Sequence, residues 1–287
     1  MASFSIALSG LTAASSDLDV TANNIANSNT VGFKESRAEF ADVFAAGAVN
    51  LNTSAVGEGV RLATTAQQFT QGNISTSGSN LDLAISGDGF FTLQDPSNGI
   101  VYTRNGQFSE DKNGNVVTAT GQALQVYPPT TTGGFNTGAL TDLNLQTAQS
   151  TQFGGGFGVT SIIQNGFATG QLSTVSIDPT GVVSAVYTNG RSTQLGQLAL
   201  ANFPDAQGLK QLGDTNWAET FTSGTHISGT AGSAGFGSIQ SGALEASNVD
   251  LTTQLVNMIT AQRAFQANAQ VITTSNQLSQ TVINITH

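Results

Sequence analysis

Apolar and small residues at both ends of the chain recur with the spacing of paired helices. Near the start, alternating steps of four and three residues connect Phe4, Leu8, Leu11, Ser15, Leu18, Ala22 and Ile25. Near the end, the same steps connect Leu251, Leu255, Met258, Gln262, Phe265, Ala269 and Ile272. A repeat of 3.5 residues keeps one stripe of a helix facing a neighbouring helix. Each end is therefore predicted to form a helix that packs lengthwise against another helix.

The bounds of the two helices follow from local signals. Turn-forming residues at positions 27–32 end the first helix. The second contains no glycine or proline from position 248 onward, and Asn248 or Asp250 can cap its start. It is predicted to be about 35 residues long, or about 50 Å. After a slip of one residue, its stripe continues through Val271, Ser275, Leu278, Val282 and Ile285.

The polar faces of both predicted helices carry uncharged Ser, Thr, Asn and Gln. Charged residues make up only 9% of the chain, against about 25% in an average soluble domain. A solvated helix usually gains solubility and ion pairs from charge. Packing inside one globule is the alternative, but these faces favour contacts between copies. We therefore expect the two stripes to lack a partner within one copy.

Between the helices, roughly from residue 60 to 240, short strand patterns alternate with turn signals. The predicted class is α+β: long terminal helices paired as a coiled-coil-like inner domain, and a mostly antiparallel β-rich middle domain. The predicted divisions are a helical polymerisation domain at 1–30 and 248–287, an extended connector at 31–70 and a β-rich domain at 71–247. Residues 128–134 and 153–158 are predicted to be loops or linkers.

Composition argues against several kinds of function. The formal net charge is −10, with eight Lys and Arg scattered singly, so neither nucleic acid nor an anionic membrane is an expected partner. The chain has no cysteine, and His226 is its one internal histidine, in a loop with no acid expected nearby. Residues 111–115 begin like a calcium loop, but the glycine is misplaced and a hairpin turn fits better. We expect no catalytic site, metal or cofactor.

Four segments in order resemble signatures of the flagellar rod, hook and hook-associated protein family. They are LDVTANNIAN at 18–27 followed by TVGFK at 30–34, LAISGDGFF at 83–91, YTRNGQF at 102–108, and SGALEASNVDL at 241–251 leading into the second helix. The resemblance implies a structural subunit that assembles into a hollow helical tube, with terminal helices inside and β domains outside. A secreted β-rich hydrolase or adhesin is the alternative from a different class.

Within that family, residues 3–11 and 195–203 are most similar to the hook members, whose tube is a flexible joint that transmits torque. The distal rod member is the alternative. The resemblance implies contacts with further copies and with the rod, hook cap and hook–filament junction proteins. It also implies export through the flagellar channel, which agrees with a start that lacks the features of a Sec signal peptide. An outer domain that hook members insert near 128–158 is expected to be absent.

The residues predicted to mediate self-assembly are the apolar members of the two stripes. They are Phe4, Leu8, Leu11, Leu18, Ile25, Leu251, Leu255, Met258, Phe265 and Ile272.

Overall fold

A computed structural model describes residues 2–44, 57–130, 133–145 and 172–285. Its two α-helices are Ala2–Ala26 (α1) and Leu251–Ile285 (α2). Neither helix combines the length and apolar character needed to cross a membrane. The start of α2 is capped by Asp250, whose carboxylate accepts hydrogen bonds from the amides of Thr252 and Thr253 at 2.8 and 3.3 Å. Of the two predicted caps, Asp250 is the one used.

Strands occupy most of the described chain between the helices. They are Ser36–Val43 (β1), Gly59–Gln67 (β2), Ile74–Thr76 (β3), Leu83–Ser86 (β4), Phe90–Asp95 (β5), Gly99–Thr103 (β6), Ser109–Glu110 (β7), Val116–Val117 (β8), Ala123–Tyr127 (β9), Thr141–Asp142 (β10), Leu172–Ile177 (β11), Val182–Tyr187 (β12), Ser192–Asn202 (β13), Lys210–Gly213 (β14), Asn216–Ala218 (β15), Ile227–Thr230 (β16), Ser238–Ser241 (β17) and Ala243–Glu245 (β18).

Among the described residues, twelve strands join in one antiparallel sheet. Its longest path runs β11–β12–β13–β9–β5–β6–β15–β14, with β7, β8, β10 and β16 attached beside it. The pairs β1–β2, β4–β17 and β3–β18 are separate and also antiparallel. The predicted α+β class, with helical ends and a mostly antiparallel middle, is confirmed.

The described chain divides into two compact units. The first combines residues of Met1–Asn29, Lys34–Thr70 and Ser247–His287, and the second combines Thr30–Phe33 with residues of Gln71–Ala246. In the first unit, β1 and β2 form a hairpin that packs on α1. Of the segment predicted as an extended connector, the described residues from 34 onward fall in this first unit, and residues 31–33 fall in the second. In the region from 128 to 158, residues 131–132 and 146–158 lie outside the described residues. These include the predicted linker at 153–158.

The β-rich unit has an apolar core contributed by its central strands. Runs of consecutive residues in β5, β6, β9 and β13 are buried, and those in the core include Phe91, Leu93, Val101, Leu124 and Leu198. Edge-to-face aromatic contacts extend this packing: the ring of Phe90 lies 5.7 Å from Trp217, and the ring of Tyr102 lies 4.8 Å from Phe203.

A buried ion pair joins two of the sequence signatures inside the β-rich unit. Arg104 Nη1 lies 3.3 Å from Glu245 Oε2, and both side chains are almost fully buried. The second carboxylate oxygen of Glu245 accepts the amide of Gly72 at 2.9 Å, and the guanidinium lies over the ring of Phe90. Burial lowers the pKa of Arg104, and the nearby Glu245 carboxylate opposes that effect. The pair fixes β6 relative to β18.

We expect Gly106→Ala to destabilise the β-rich unit by about 3 kcal/mol or more. The new Cβ would lie 1.5 Å from the carbonyl oxygen of Leu83, whose own amide donates to the Gly106 carbonyl at 2.9 Å. Urea unfolding followed by Trp217 fluorescence measures the change. Gly78→Ala is the control, because no atom lies within 4 Å of the added methyl group. Equal stability of the two variants would contradict this close approach.

Candidate assembly interface

The two terminal helices pack against each other as an antiparallel pair. Near one end, Asn24 Nδ2 donates to Gln254 Oε1 at 3.2 Å. Fourteen residues away on both helices, Gly10 faces Asn268, whose Oδ1 lies 2.8 Å from where a Cβ on Gly10 would be. In both contacts the two residue numbers add to 278, so the register is constant along the pair. A glycine at position 10 costs the helix up to about 1 kcal/mol in propensity. It leaves room for the Asn268 side chain, which a Cβ at this position would contact too closely.

The line of α1 that faces α2 consists of small and polar residues. Gly10, Asp17 and Asn24 lie one heptad apart and, by the register, oppose Asn268, Ala261 and Gln254. Ala7, Ala14 and Thr21 complete the line and are buried. Asp17 is half-buried, and this burial raises the pKa of its carboxyl. The contact within the chain therefore joins the helices closely while burying little apolar surface.

The predicted apolar stripe of α1 is not the line that faces α2. It lies one residue, or about 100°, further around the helix. Phe4 and Leu8 are exposed, and Leu11, Leu18 and Ile25 are half-buried. The stripe of α1 therefore does not make the contact within the chain, which a different line of residues supplies.

On α2 the predicted stripe divides into two groups. Met258, Phe265 and Ile272 are half-buried and share the spacing of the buried residues Gln254 and Ala261. Leu251 and Leu255 remain exposed, at 47% and 46%. Further apolar side chains of the unit are also exposed, namely Phe40, Phe44, Leu62, Val256, Ile259, Val271, Leu278, Val282 and Ile283. Outside the contact within the chain, the helical unit therefore carries a large apolar surface.

A buried cluster of amides holds the end of α1, the start of β1 and the start of α2 together. Asn24 donates to the carbonyl of Ser36 at 2.7 Å and accepts from its amide at 2.9 Å. Gln254 accepts from Asn24 and donates through Nε2 to Glu35 Oε1 at 2.8 Å. Asn24 and Gln254 are only 1% and 2% exposed. Both amide side chains are therefore shielded from water, which raises the cost of breaking the hydrogen bond between them.

Asn248 extends this cluster to the end of the hairpin. Its Oδ1 accepts the amide of Glu35 at 2.7 Å, and its Nδ2 donates to the carbonyls of Gln68 and Thr70 at 2.8 and 3.1 Å. The buried ammonium of Lys34 donates to the same Thr70 carbonyl at 2.8 Å. Sequence reasoning placed Asn248 at a helix cap and did not identify this cluster. Part of the signal was available, since Asn24 and Asn248 lie inside two of the four signature segments, at 18–27 and 241–251.

The β-rich unit contains one polar cluster that includes a histidine. His226 Nδ1 lies 2.7 Å from Glu219 Oε2, so the expectation that no acid lies nearby is wrong. The hydrogen bond with His226 lowers the pKa of Glu219, and burial raises the pKa of Tyr102 beside it. In the described part of the chain, no three His, Asp or Glu side chains group as metal ligands. The predicted calcium-like turn closes on itself, since Asp111 accepts the amides of Asn113 and Asn115.

Comparison with protein families places the chain among structural components of the bacterial flagellum. Residues 4–34 match a model described as flagella basal body rod protein. Residues 84–185 match the D1 domain of the flagellar hook protein FlgE/F/G, and residues 240–285 match the C-terminal part of the flagellar basal body rod FlgEFG protein. The matches cover both helices and much of the sheet.

Curated relatives extend these matches to nearly the whole chain. The flagellar hook protein FlgE of Salmonella typhimurium is 34% identical over 408 positions, covering 99% of this chain and all of the relative. The flagellar basal-body rod protein FlgG of Bacillus subtilis is 34% identical over 289 positions, covering 97% and 96%. The chain belongs to this family of flagellar rod and hook proteins. It is a structural protein of the self-polymerising flagellar axis, not an enzyme.

A solved structure of the hook protein FlgE2 of Helicobacter pylori also matches, at 26% identity over 27% of this chain and 17% of that one. Its TM-score is 0.24, so the overlap carries no argument about the fold.

We expect Asn24→Ala to destabilise the helical unit by about 3 kcal/mol, because it leaves the amide and carbonyl of Ser36 and Oε1 of Gln254 without their partner. Hydrogen exchange of the α1 and β1 amides measures this loss. Asn23→Ala is the control, since Asn23 is exposed on the adjacent face. Similar protection in both variants would show that the amide cluster is dispensable.

We expect the cap at Asp250 to make α2 sensitive to acid. The amides of Thr253 and Thr252 hold the pKa of Asp250 below its usual value. The Asp250 cap therefore stabilises α2 fully above the pKa of an aspartate in the unfolded chain, about 3.9. This stabilisation is lost as the pH falls through the lower pKa that Asp250 has in the folded protein. Asp250→Asn keeps a capping oxygen that does not titrate. Urea unfolding followed by circular dichroism measures the free energy of unfolding of wild type and Asp250→Asn from neutral to acidic pH. The advantage of the wild type should shrink as the pH falls, and a constant difference would contradict the prediction.

Proposed function

We propose that this protein is a subunit of the flagellar hook, which assembles into a hollow helical tube and acts as a flexible torque-transmitting joint between rod and filament. One observation carries the self-assembly: the line of α1 that faces α2 consists of small and polar residues, while Phe4, Leu8, Leu251 and Leu255 of the apolar stripes remain exposed. α1 and α2 together contain three charged residues, Asp17, Asp19 and Arg263. An apolar surface of this extent, with so little charge, is typical of a protein interface.

The proposed interface consists of the ten stripe residues predicted from the sequence, with Phe4, Leu8, Leu251 and Leu255 as its most exposed members. Burying such side chains contributes roughly 1.5–3 kcal/mol each when burial is complete. A subunit repeated many times along a tube adds these contributions at every contact. The partner of these stripes is therefore a further copy of the chain.

Assignment to the hook rests on the similarity to hook proteins along the whole length. The Salmonella typhimurium alignment has 408 positions and this chain 287 residues, so at least 121 positions have no counterpart here. We propose that these positions include the outer domain expected near 128–158, and that this chain is a hook subunit without it.

A distal rod protein is the second candidate, and alignment length favours it. The FlgG relatives of Agrobacterium fabrum and Bacillus subtilis align over 295 and 289 positions, close to the length of this chain. Complementation separates the candidates: the gene is placed in cells that lack either their hook protein or their distal rod protein. Hooks and motility restored in the first strain alone support the proposal, and rescue of the second alone would replace it.

For a hook subunit, the remaining partners are the rod protein below, the hook cap protein during growth and the hook–filament junction protein above. The proposed location is the hook outside the cell, reached by export through the flagellar channel. Copies with radiolabelled or fluorescent tags in purified hook–basal bodies would show this location directly.

We expect Leu255→Asp to abolish polymerisation while leaving the β-rich unit folded. A carboxylate buried without a partner costs about 3 kcal/mol or more, which raises the critical concentration by about 100-fold. Sedimentation and electron microscopy measure the polymer, and Trp217 fluorescence reports the β-rich unit. Asn257→Asp is the matched control, because residue 257 is exposed on the opposite face of α2. Tubes formed normally by Leu255→Asp would show that the stripe is not an interface.

A further inference from the structure

One carboxylate lies on the line of α1 that faces α2. By the constant register of the pair, Asp17 opposes Ala261, whose side chain is only 3% exposed. Asp17 occupies the middle of that line, seven residues from both Gly10 and Asn24. The contact at this level therefore places an acidic group opposite a methyl group, which cannot form a hydrogen bond with it.

Asp17 has no polar partner in the part of the chain that the structure describes. No hydrogen bond or ion pair reaches its carboxylate there. Asn24, at the next position of the same line, has Gln254 of α2 as a partner at 3.2 Å. A partly buried carboxylate loses hydration, and without a partner nothing replaces it. The negative charge of Asp17 therefore weakens the contact between the two helices.

The charged residues around α1 do not offset this loss. Arg263 is exposed on α2, and Arg37 on β1 is 64% exposed and pairs with Glu39 at 3.0 Å. The other charged residues on α1 and on the elements packed against it are the exposed Asp19, Asp42 and Arg61, and these elements are flanked by Lys34, Glu35, Glu58 and Asp250. Burial raises the pKa of the Asp17 carboxyl, as expected for a charge without compensation.

We propose that Asp17 is a proton-responsive restraint on the α1–α2 pair, whose charge keeps the pair below the stability that it reaches when the carboxyl is neutral. Protonation removes the charge and lets the two helices pair more tightly. The pair therefore separates more readily at neutral pH than in mild acid. This inference concerns a single copy of the chain and holds for a hook subunit and a rod subunit alike.

The direction of the pH dependence follows from the raised pKa of Asp17. An aspartate in the unfolded chain has a pKa of about 3.9. Folded Asp17 binds its proton at a higher pH, so the pair gains stability as the pH falls through the folded pKa, and the gain is complete near the unfolded pKa. The cap at Asp250 is lost only below that value. The two carboxyls therefore act in separate pH ranges and with opposite sign.

Native-state hydrogen exchange of the α1 amides tests the proposal on the full chain, at a concentration where it is monomeric. Asp17→Asn removes the charge and keeps nearly the same shape and helix propensity. At neutral pH, protection of the α1 amides in this variant should exceed that of the wild type by roughly two- to thirtyfold. The difference should shrink as the pH is lowered toward about 4, because wild-type Asp17 then becomes neutral as well.

Asp19→Asn is the matched control, since it removes the same charge from an exposed position in the same part of α1. It should change protection by less than about twofold at any pH. Equal gains in the two variants would indicate a general charge effect on α1 and overturn the proposal. A gain for Asp17→Asn that is the same at every pH, or a loss of protection, would overturn it as well.

A second measurement needs no variant. The carboxyl carbon of Asp17, followed by NMR in the intact chain, should titrate at a higher pH than the same carbon in the urea-unfolded chain. Equal midpoints in the two states would show that the folded protein does not disfavour the charge, and this result would also overturn the proposal.

Discussion

The buried amide cluster around Asn24 and Gln254 is the interaction on which the helical unit depends. Three separate segments, the end of α1, the start of β1 and the start of α2, exchange hydrogen bonds there. Inside a low-dielectric environment such bonds are strong, and a missing partner is expensive. Asn24 forms hydrogen bonds with both the amide and the carbonyl of Ser36, and these bonds fix the direction in which the chain leaves α1. The cluster thereby sets the register in which α2 returns along α1.

That register determines which residues are used within the chain and which remain outside. It aligns Gly10, Asp17 and Asn24 with the return helix, so the contact within the chain consists of small and polar residues. The apolar stripe, one position further around the helix, stays outside that contact: Phe4 and Leu8 are exposed, and its other apolar members are half-buried. A helix pair built the other way would bury its leucines internally and keep little surface for further copies. The position of a few amides therefore decides which side chains of α1 make the contact within the chain.

Sequence reasoning found the elements and misjudged some of their contacts, for physical reasons. Periodicity predicted both helices and the β-rich middle of the chain, because the 3.5 and 2.0 repeats follow directly from backbone geometry. It could not give the partner of a stripe, since Leu8 has the same spacing whether it faces α2 or another copy. The roles of Asn24 and Gln254 depend on residues about 230 positions apart. The pairing of His226 with Glu219 depends on a loop conformation that no local pattern specifies.

The division between polar and apolar contacts also bears on stability. Most helix stability in proteins comes from packing of an apolar face, not from intrinsic propensity. The α1–α2 contact offers little apolar surface, so the pair in one copy gains less than a typical coiled coil. The exposed leucines can add their contribution only when another copy covers them. By mass action, the helices should then become more stable as polymer forms. In the proposed assembly, the stability of the helical unit and polymer growth are therefore coupled through the same two helices.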